Sequence, residues 1–362
     1  MSNSPGFVAF ERRPARAAAS NTDGRFEKYT KSDVHDGWDI FEDLPILKTE
    51  VRDERPRSVV NYVRSPDLPF DRSLNPYRGC EHGCIYCFAR PTHAYLGLSP
   101  GLDFETQLIA RPEAAQVLDR ELRSKSYQVA PLAIGTNTDP YQPIERDRGI
   151  MRACLEVLRA FRHPVAIVTK GTLIERDIDI LADMAAQGLV RVGISVTTLD
   201  PVLCRKMEPR APSPKRRIEI IRRLTGAGMP VRVMASPMVP ALTDPELEAI
   251  LEAGASAGAE SASYIMLRLP LEVADLWRAW LAEHYPNRLN RVMGHIREMH
   301  GGEDYAANWG ARMRGEGVYA DLIAQRFQRA RRKLGLEEQV APLRCDLFQP
   351  PLARGAQMAL DL

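Results

Sequence analysis

From about Leu74 onward, short β-branched runs alternate with longer stretches of helical period. The pattern predicts strands for the segment into Tyr77 and for 131–136, 164–169, 190–196, 231–235 and 263–267. It predicts helices near 111–125, 148–162, 175–187, 214–226 and 244–257. Thr243-Asp244-Pro245 offers a helix cap followed by proline in the first turn, and Gly188, Gly226 and Gly228 stand where helices are expected to end. Six strands alternating with helices make an α/β fold with a parallel sheet and right-handed crossovers. Periodicity alone fits a doubly wound sheet and an open barrel equally well.

The flanks read differently. Residues 1–40 are polar, without apolar period, and are expected to be a flexible tail. An irregular lead-in follows, with apolar pieces at Phe41, Leu44 and Ile46 and a candidate strand at 58–63. It is grouped with the alternating core as one domain, 41–270. Residues 271–362 read as a helical C-terminal extension and tail, in which Trp277, Trp280 and Leu281 share a face.

Composition narrows the class. Apolar residues at 44% and charged residues at 27% are those of a soluble globular protein, and 362 residues bury a core without disulfides. The first twenty residues show no apolar signal region, and no run approaches eighteen apolar residues, so no membrane span is expected. A net charge of +2 says nothing about partners.

The chemistry centres on Asn75-Pro-Tyr-Arg-Gly-Cys80-Glu-His-Gly-Cys84-Ile-Tyr-Cys87-Phe-Ala-Arg90. Three of the six cysteines fall within eight residues. A cubane iron–sulfur cluster takes four thiolates, so Cys80, Cys84 and Cys87 at this spacing leave one iron open to a substrate or cofactor. The competing reading is zinc held by three cysteines plus His82 or His93, but no second ligand pair follows. Thiols kept reduced point to the cytoplasm.

CxxxCxxC with Tyr86 before the third cysteine resembles the signature of the radical S-adenosylmethionine (SAM) enzymes. Further stretches resemble, in combination, the bacterial spore-photolyase-like (SplB-like) group: Thr138-Asp-Pro-Tyr-Gln-Pro-Ile-Glu145, Thr169-Lys-Gly171, Glu208-Pro-Arg-Ala-Pro212 and Pro237-Met-Val-Pro-Ala-Leu-Thr-Asp244. The resemblance spans roughly residues 40 to 345. It implies a partial (βα)6 barrel with the cluster in the loop after the first strand. It also implies a 4Fe-4S cluster and SAM as cofactors, with flavodoxin or ferredoxin as electron donor. The expected product is a 5′-deoxyadenosyl radical that abstracts hydrogen from an unassigned substrate.

Residues at predicted strand ends are the candidates for holding SAM. Thr138 and Asp139 stand where the group places a polar motif for the SAM ammonium, although Asp-Pro also suits a turn. Lys170, Ser195, Thr197 and Arg210 are candidates for the SAM carboxylate or ribose, or for substrate; guanidinium forks match carboxylates. Cys204 and Cys345 are candidate hydrogen-atom donors, against the alternative that each is a small buried hydrophobe. Spore photolyase uses a cysteine several tens of residues after its cluster motif, whereas this chain has none between Phe88 and Ala153. Basic clusters at 215–217, 222–223 and 326–333 keep nucleic acid among the substrate classes, although their helical spacing reads first as solvated faces. A non-catalytic metal-binding module and a DNA photoproduct lyase-like repair enzyme are the alternatives.

Overall fold

The computed structural model describes residues 16–19, 21–22, 24–26, 47–337 and 340–352. Most of the expected tail, with Phe41, Leu44 and Ile46, and the last ten residues lie outside that set. Ten strands are described: β1 (Glu50–Asp53), β2 (Val60–Tyr62), β3 (Arg72–Leu74), β4 (Tyr77–Arg78), β5 (Gln107–Ala110), β6 (Leu132–Ile134), β7 (Val165–Thr169), β8 (Val190–Ser195), β9 (Val231–Met238) and β10 (Ser261–Met266). The helices before β7 are α1 (Asp103–Thr106), α2 (Ala114–Leu122), α3 (Glu145–Arg148) and α4 (Ile150–Ala160). Those between β7 and β10 are α5 (Ile178–Ala186), α6 (Pro201–Met207), α7 (Pro214–Gly226) and α8 (Leu247–Ser256). After the last strand come α9 (Val273–His284), α10 (Leu289–Met299), α11 (Ala311–Arg314) and α12 (Val318–Lys333).

The larger sheet runs β10-β9-β8-β7-β6-β3-β2. All its pairings are parallel except that of β2 with β3. The six parallel strands with helices between them are the barrel strands expected above. Their β-branched residues fill the core, where Val165, Val190, Val192 and Ile194 have no exposed surface. The helices lay apolar stripes on that sheet, with Met151, Cys154, Leu155 and Leu158 of α4 fully buried.

Several boundaries moved. The first barrel strand ends at Leu74, and Tyr77 belongs to a separate three-stranded sheet, β1-β5-β4. Gly226 is the last residue of α7, while Gly188 and Gly228 take left-handed backbone (φ +71° and +80°) after their helices. Thr243 stands at the N-cap of a short 3-10 turn, Asp244–Glu246, with Pro245 in it, but its hydroxyl makes no capping bond and accepts from Val239 N at 2.8 Å. The described part of the N-terminal tail is docked: Arg16 is 7% exposed and donates to the carbonyls of Glu105 and Leu47, both at 2.8 Å.

A barrel of this strand order stays open between its edges, β2 and β10. That gap is bridged. Asp67, in the β2–β3 loop, accepts from Gly310 N at 2.7 Å and from Arg312 Nε at 2.6 Å, and α11 packs on β10. At the opposite, N-terminal end of the strands the C-terminal segment plugs the barrel. Phe348 lies against Tyr127, Phe161 and His163, and Arg344 N donates to Gly188 O at 3.0 Å.

Candidate functional site

A cavity of about 190 Å³ opens at the C-terminal ends of the parallel strands. Cys80, Cys84 and Cys87 all line it, as free thiols. The loop that carries them is built from both sides. Gly83 takes φ +65°, and a Cβ there would sit 2.6 Å from a Glu105 carboxylate oxygen. Arg90, three residues past Cys87, has no exposed surface. Its guanidinium donates to the carbonyls of Cys84 (2.9 Å), Gly83 (3.1 Å), Pro100 (3.0 Å) and Gly101 (2.8 Å) and pairs with Glu105 at 2.5 Å. Glu105 in turn accepts from the backbone N–H groups of Ala17 (3.2 Å) and Ala18 (3.1 Å). Both charges are therefore hydrogen-bonded on every side, the condition under which a buried pair is tolerated.

Across the cavity the loop after β6 holds the cysteine loop from the other side. Gly135 takes φ +89°, and a Cβ there would collide with Val168 O at 2.0 Å. Only glycine lets the chain turn this close to β7. Thr138 Oγ1 donates to Gly79 O at 2.6 Å, and the Gln142 side chain accepts from Glu81 N at 2.8 Å. The oxygens of Asp139 accept from Thr169 Oγ1 (2.6 Å), Tyr141 N (2.9 Å) and Lys170 N (2.8 Å), with His82 Nδ1 at 3.3 Å. Burial works against its charge, but His82 and these donors outweigh it and hold the carboxyl well below the usual range. Thr138 and Asp139 both border the cavity, yet their polar atoms brace the loop.

The third wall is a buried ionic network. Thr197 Oγ1 donates to Glu208 Oε1 at 2.8 Å, Tyr86 OH donates to the same oxygen, and Arg217 pairs with Oε2. Arg217 reaches inward because Ser213 caps α7, accepting from Arg216 N at 3.4 Å, with Pro214 in the first turn. It also donates to Ser195 O (3.2 Å) and Pro212 O (2.9 Å). Burial raises the Glu208 carboxyl, but Arg217 and Lys170 more than offset it and hold it down at about 2. Lys170 lines the cavity with its ammonium 5.9 Å from the Tyr86 ring centroid. Burial disfavours its charge, yet the Cys84 sulfur and Glu208 keep its pKa above the ordinary value.

Not every predicted residue reaches the cavity. Lys170 and Ser195 line it, and Thr197 stands behind Tyr86. Arg210 lies on the outer side of the cysteine loop, paired with Glu81 at 2.9 Å, and does not line the cavity. Cys204 is buried in α6 facing Glu208 (3.6 Å), where burial and that carboxylate push its thiol up to about 12. Cys345 sits in the plug at the opposite end of the barrel. Neither thiol lines the cavity.

Among the described residues no three His, Cys, Asp or Glu side chains converge on a point that could hold one ion. His82 is engaged with Asp139, and His93 Nε2 meets Gln107 O at 2.9 Å. Three free thiols on one cavity suit a cluster in which each iron takes a separate sulfur. The basic clusters are partly neutralised. Arg216 and Arg223 pair with Glu175 and Glu219, and Arg326 pairs with Glu248. Arg217, read from its spacing as part of a solvated face, is instead the buried partner of Glu208. No helix among the described residues is long and apolar enough to cross a membrane.

The profile of the Radical SAM superfamily matches residues 74–254. An uncharacterized protein of Mycobacterium tuberculosis is 40% identical over 238 residues, covering 65% of this chain and 70% of that protein. One of Methanocaldococcus jannaschii is 24% identical over 200 residues, covering 55% and 71%. Among solved structures, spore photoproduct lyase complexed with dinucleoside spore photoproduct superimposes with a TM-score of 0.55 at 14% identity, over 78% of this chain and 79% of that one. At that identity the likeness is one of fold.

Proposed function

The chain belongs to the radical SAM superfamily, whose members use a 4Fe-4S cluster and SAM, and from that premise we propose that Cys80, Cys84 and Cys87 hold the cluster at the floor of the strand-end cavity. The observation that carries this reading is the lining of one cavity by three free thiols. When bound, the cluster would supply the electron that cleaves the SAM sulfonium, yielding a 5′-deoxyadenosyl radical that takes a hydrogen atom from substrate.

The chain's own residues would do the rest. Lys170 and Arg268 are cations on the cavity wall that could meet the SAM carboxylate, and the wall also carries Ser195. Ser236, on the cavity wall, has a buried Oγ with no hydrogen-bond partner, as does Arg268 at Nε, so both are suited to meet a bound cofactor. Met234, Ile265 and Leu267 keep water from the reacting centre. Thr138, Asp139 and Thr197 act one step removed, by fixing the cysteine loop and Tyr86. No cysteine other than the cluster set lines the cavity, so this cavity offers no further thiol for hydrogen return. That speaks against a repair reaction of the photoproduct lyase kind. Cluster thiolates and a flavodoxin or ferredoxin donor suit a reducing cytoplasm.

The test is anaerobic reconstitution, reduction and electron paramagnetic resonance with and without SAM. A reduced cubane signal that shifts on adding SAM, with 5′-deoxyadenosine formed, supports the reading. Cys84→Ala should lose both. A Cys84→Ala protein that still cleaves SAM, or a wild-type protein that retains zinc and no iron, would overturn it.

A further inference from the structure

A second cavity, of about 400 Å³, lies beside the first. Thr136 and Asn137 line both, so this short segment is the partition between them. Asn75 fixes the partition: its Oδ1 accepts from Asn137 N at 3.1 Å and its Nδ2 donates to Thr136 Oγ1 at 3.4 Å. The far wall is apolar, with Leu68 and Phe70 from the β2–β3 loop. That is the loop which Asp67 fastens to Arg312 across the barrel gap.

The charge in this cavity is unbalanced. Arg78 and Arg111 both line it and share one carboxylate, Glu54, at 3.1 and 2.9 Å. Glu54 stays ionised, since Arg111 and Arg78 outweigh the effect of its burial and lower its pKa. Two guanidiniums against one carboxylate leave one positive charge. Arg111 is largely buried and its Nη1 also donates to Asn75 O at 3.3 Å, whereas the Arg78 side chain is 37% exposed. The free donors are thus on Arg78, in a cavity that Leu68 and Phe70 also line.

We propose that this second cavity is the substrate's anchoring subsite and takes an oxyanion, phosphate or carboxylate, on Arg78, with an apolar group against Leu68 and Phe70. The part to be attacked would then pass Asn137 into the first cavity. The inference rests on the radical SAM reading of that first cavity, but its test does not depend on SAM cleavage.

Binding is measured by calorimetry and saturation-transfer NMR on the full chain without cluster or SAM, at low salt. The probes are phenyl phosphate and benzoate, with phenol as the uncharged control. At least one anion should bind at millimolar concentration or better, and phenol at least tenfold more weakly. Arg78→Gln should weaken the anion about tenfold, the size of one lost charge-assisted contact. Phe70→Ala, away from the cysteine loop, should weaken it by a similar factor and serves should Arg78→Gln fail to fold. Phenyl phosphate binding alone would identify a phosphate ester as the substrate group, and benzoate alone a carboxylate. Neither anion binding, phenol binding as well as they do, or a folded variant that binds like wild type would overturn the proposal. A chain that binds an anion here yet cleaves no SAM would refute the function proposed above and leave this site standing.

Discussion

The two ends of the barrel are finished by opposite means. At the C-terminal end of the strands, charge is buried: Arg90 with Glu105, Glu208 with Arg217, and Asp139 with His82. At the N-terminal end, rings are packed, with Phe348 against Tyr127, Phe161 and His163. The difference follows from what each end encloses. A plugged end needs only shape and apolar area. An end that keeps a cavity open has loops whose carbonyls and amides face no strand partner, and charged side chains satisfy them at long reach. The Arg90 guanidinium alone serves four backbone carbonyls.

The contrast can be broken most forcefully at Arg90. Arg90→Met strands the Glu105 carboxylate and frees those carbonyls, and should cost about 5 kcal/mol, the upper range for breaking a buried pair. Denaturant unfolding would show the loss, and the protein should retain little iron after reconstitution. Glu208→Gln comes next, at about 3 kcal/mol, because Arg217 keeps its contacts with Ser195 O and Pro212 O. In a double-mutant cycle, adding Arg217→Met should recover part of that loss. If it recovers none, the pair does not act as a unit.

The packed end responds to pH. His163 is fully buried, accepts from the Tyr127 hydroxyl at Nε2 (2.7 Å) and donates from Nδ1 to Pro164 O (2.9 Å). Burial first, then Arg72, lower its pKa to about 4, although the Pro164 contact opposes this. The folded value lies below the unfolded one, so the neutral form favours folding. That stability is present above about pH 6.5 and is lost as pH falls toward 4. Between pH 7.5 and 5 it should amount to about 2 kcal/mol. In His163→Gln, urea titrations should show that much less dependence on pH in this window; an unchanged slope would remove the assignment. The smallest effect is expected for Arg210→Ala. Its pair with Glu81 is partly exposed, so stability should change by about 0.5 kcal/mol, and SAM affinity should stay near wild type. A tenfold loss of SAM affinity would return Arg210 to the cavity.

These residues also mark what the chain discloses before it is folded. The barrel strands were legible because runs such as Val165–Thr169 are continuous and β-branched. The small sheet was not: Glu50–Asp53 shows no alternation, and Gln107–Ala110 reads as the approach to a helix. The cysteines were legible because their chemistry depends on spacing along the chain. Arg90, Glu105, Glu208 and Arg217 were not read as buried ionic partners, since a charge looks solvated until its partner is known. Glu105 is 15 residues from Arg90, and Thr197 is 11 from Glu208. The pairing of Arg210 with Glu81 was not legible for the same reason, because Glu81 is 129 residues away.

The bridge between Asp67 and Arg312 has a consequence for biosynthesis. Its partners stand 245 residues apart, one near each end of the described chain. On the ribosome the β2–β3 loop emerges early, and its fastening emerges only after all six barrel strands. Until then the flank of the barrel is unlatched, and the cysteine loop, made from residue 80 onward, waits beside an open side door. Closure therefore waits for the segment that carries Arg312, and any truncation before Arg312 yields a barrel whose gap is never fastened by this pair.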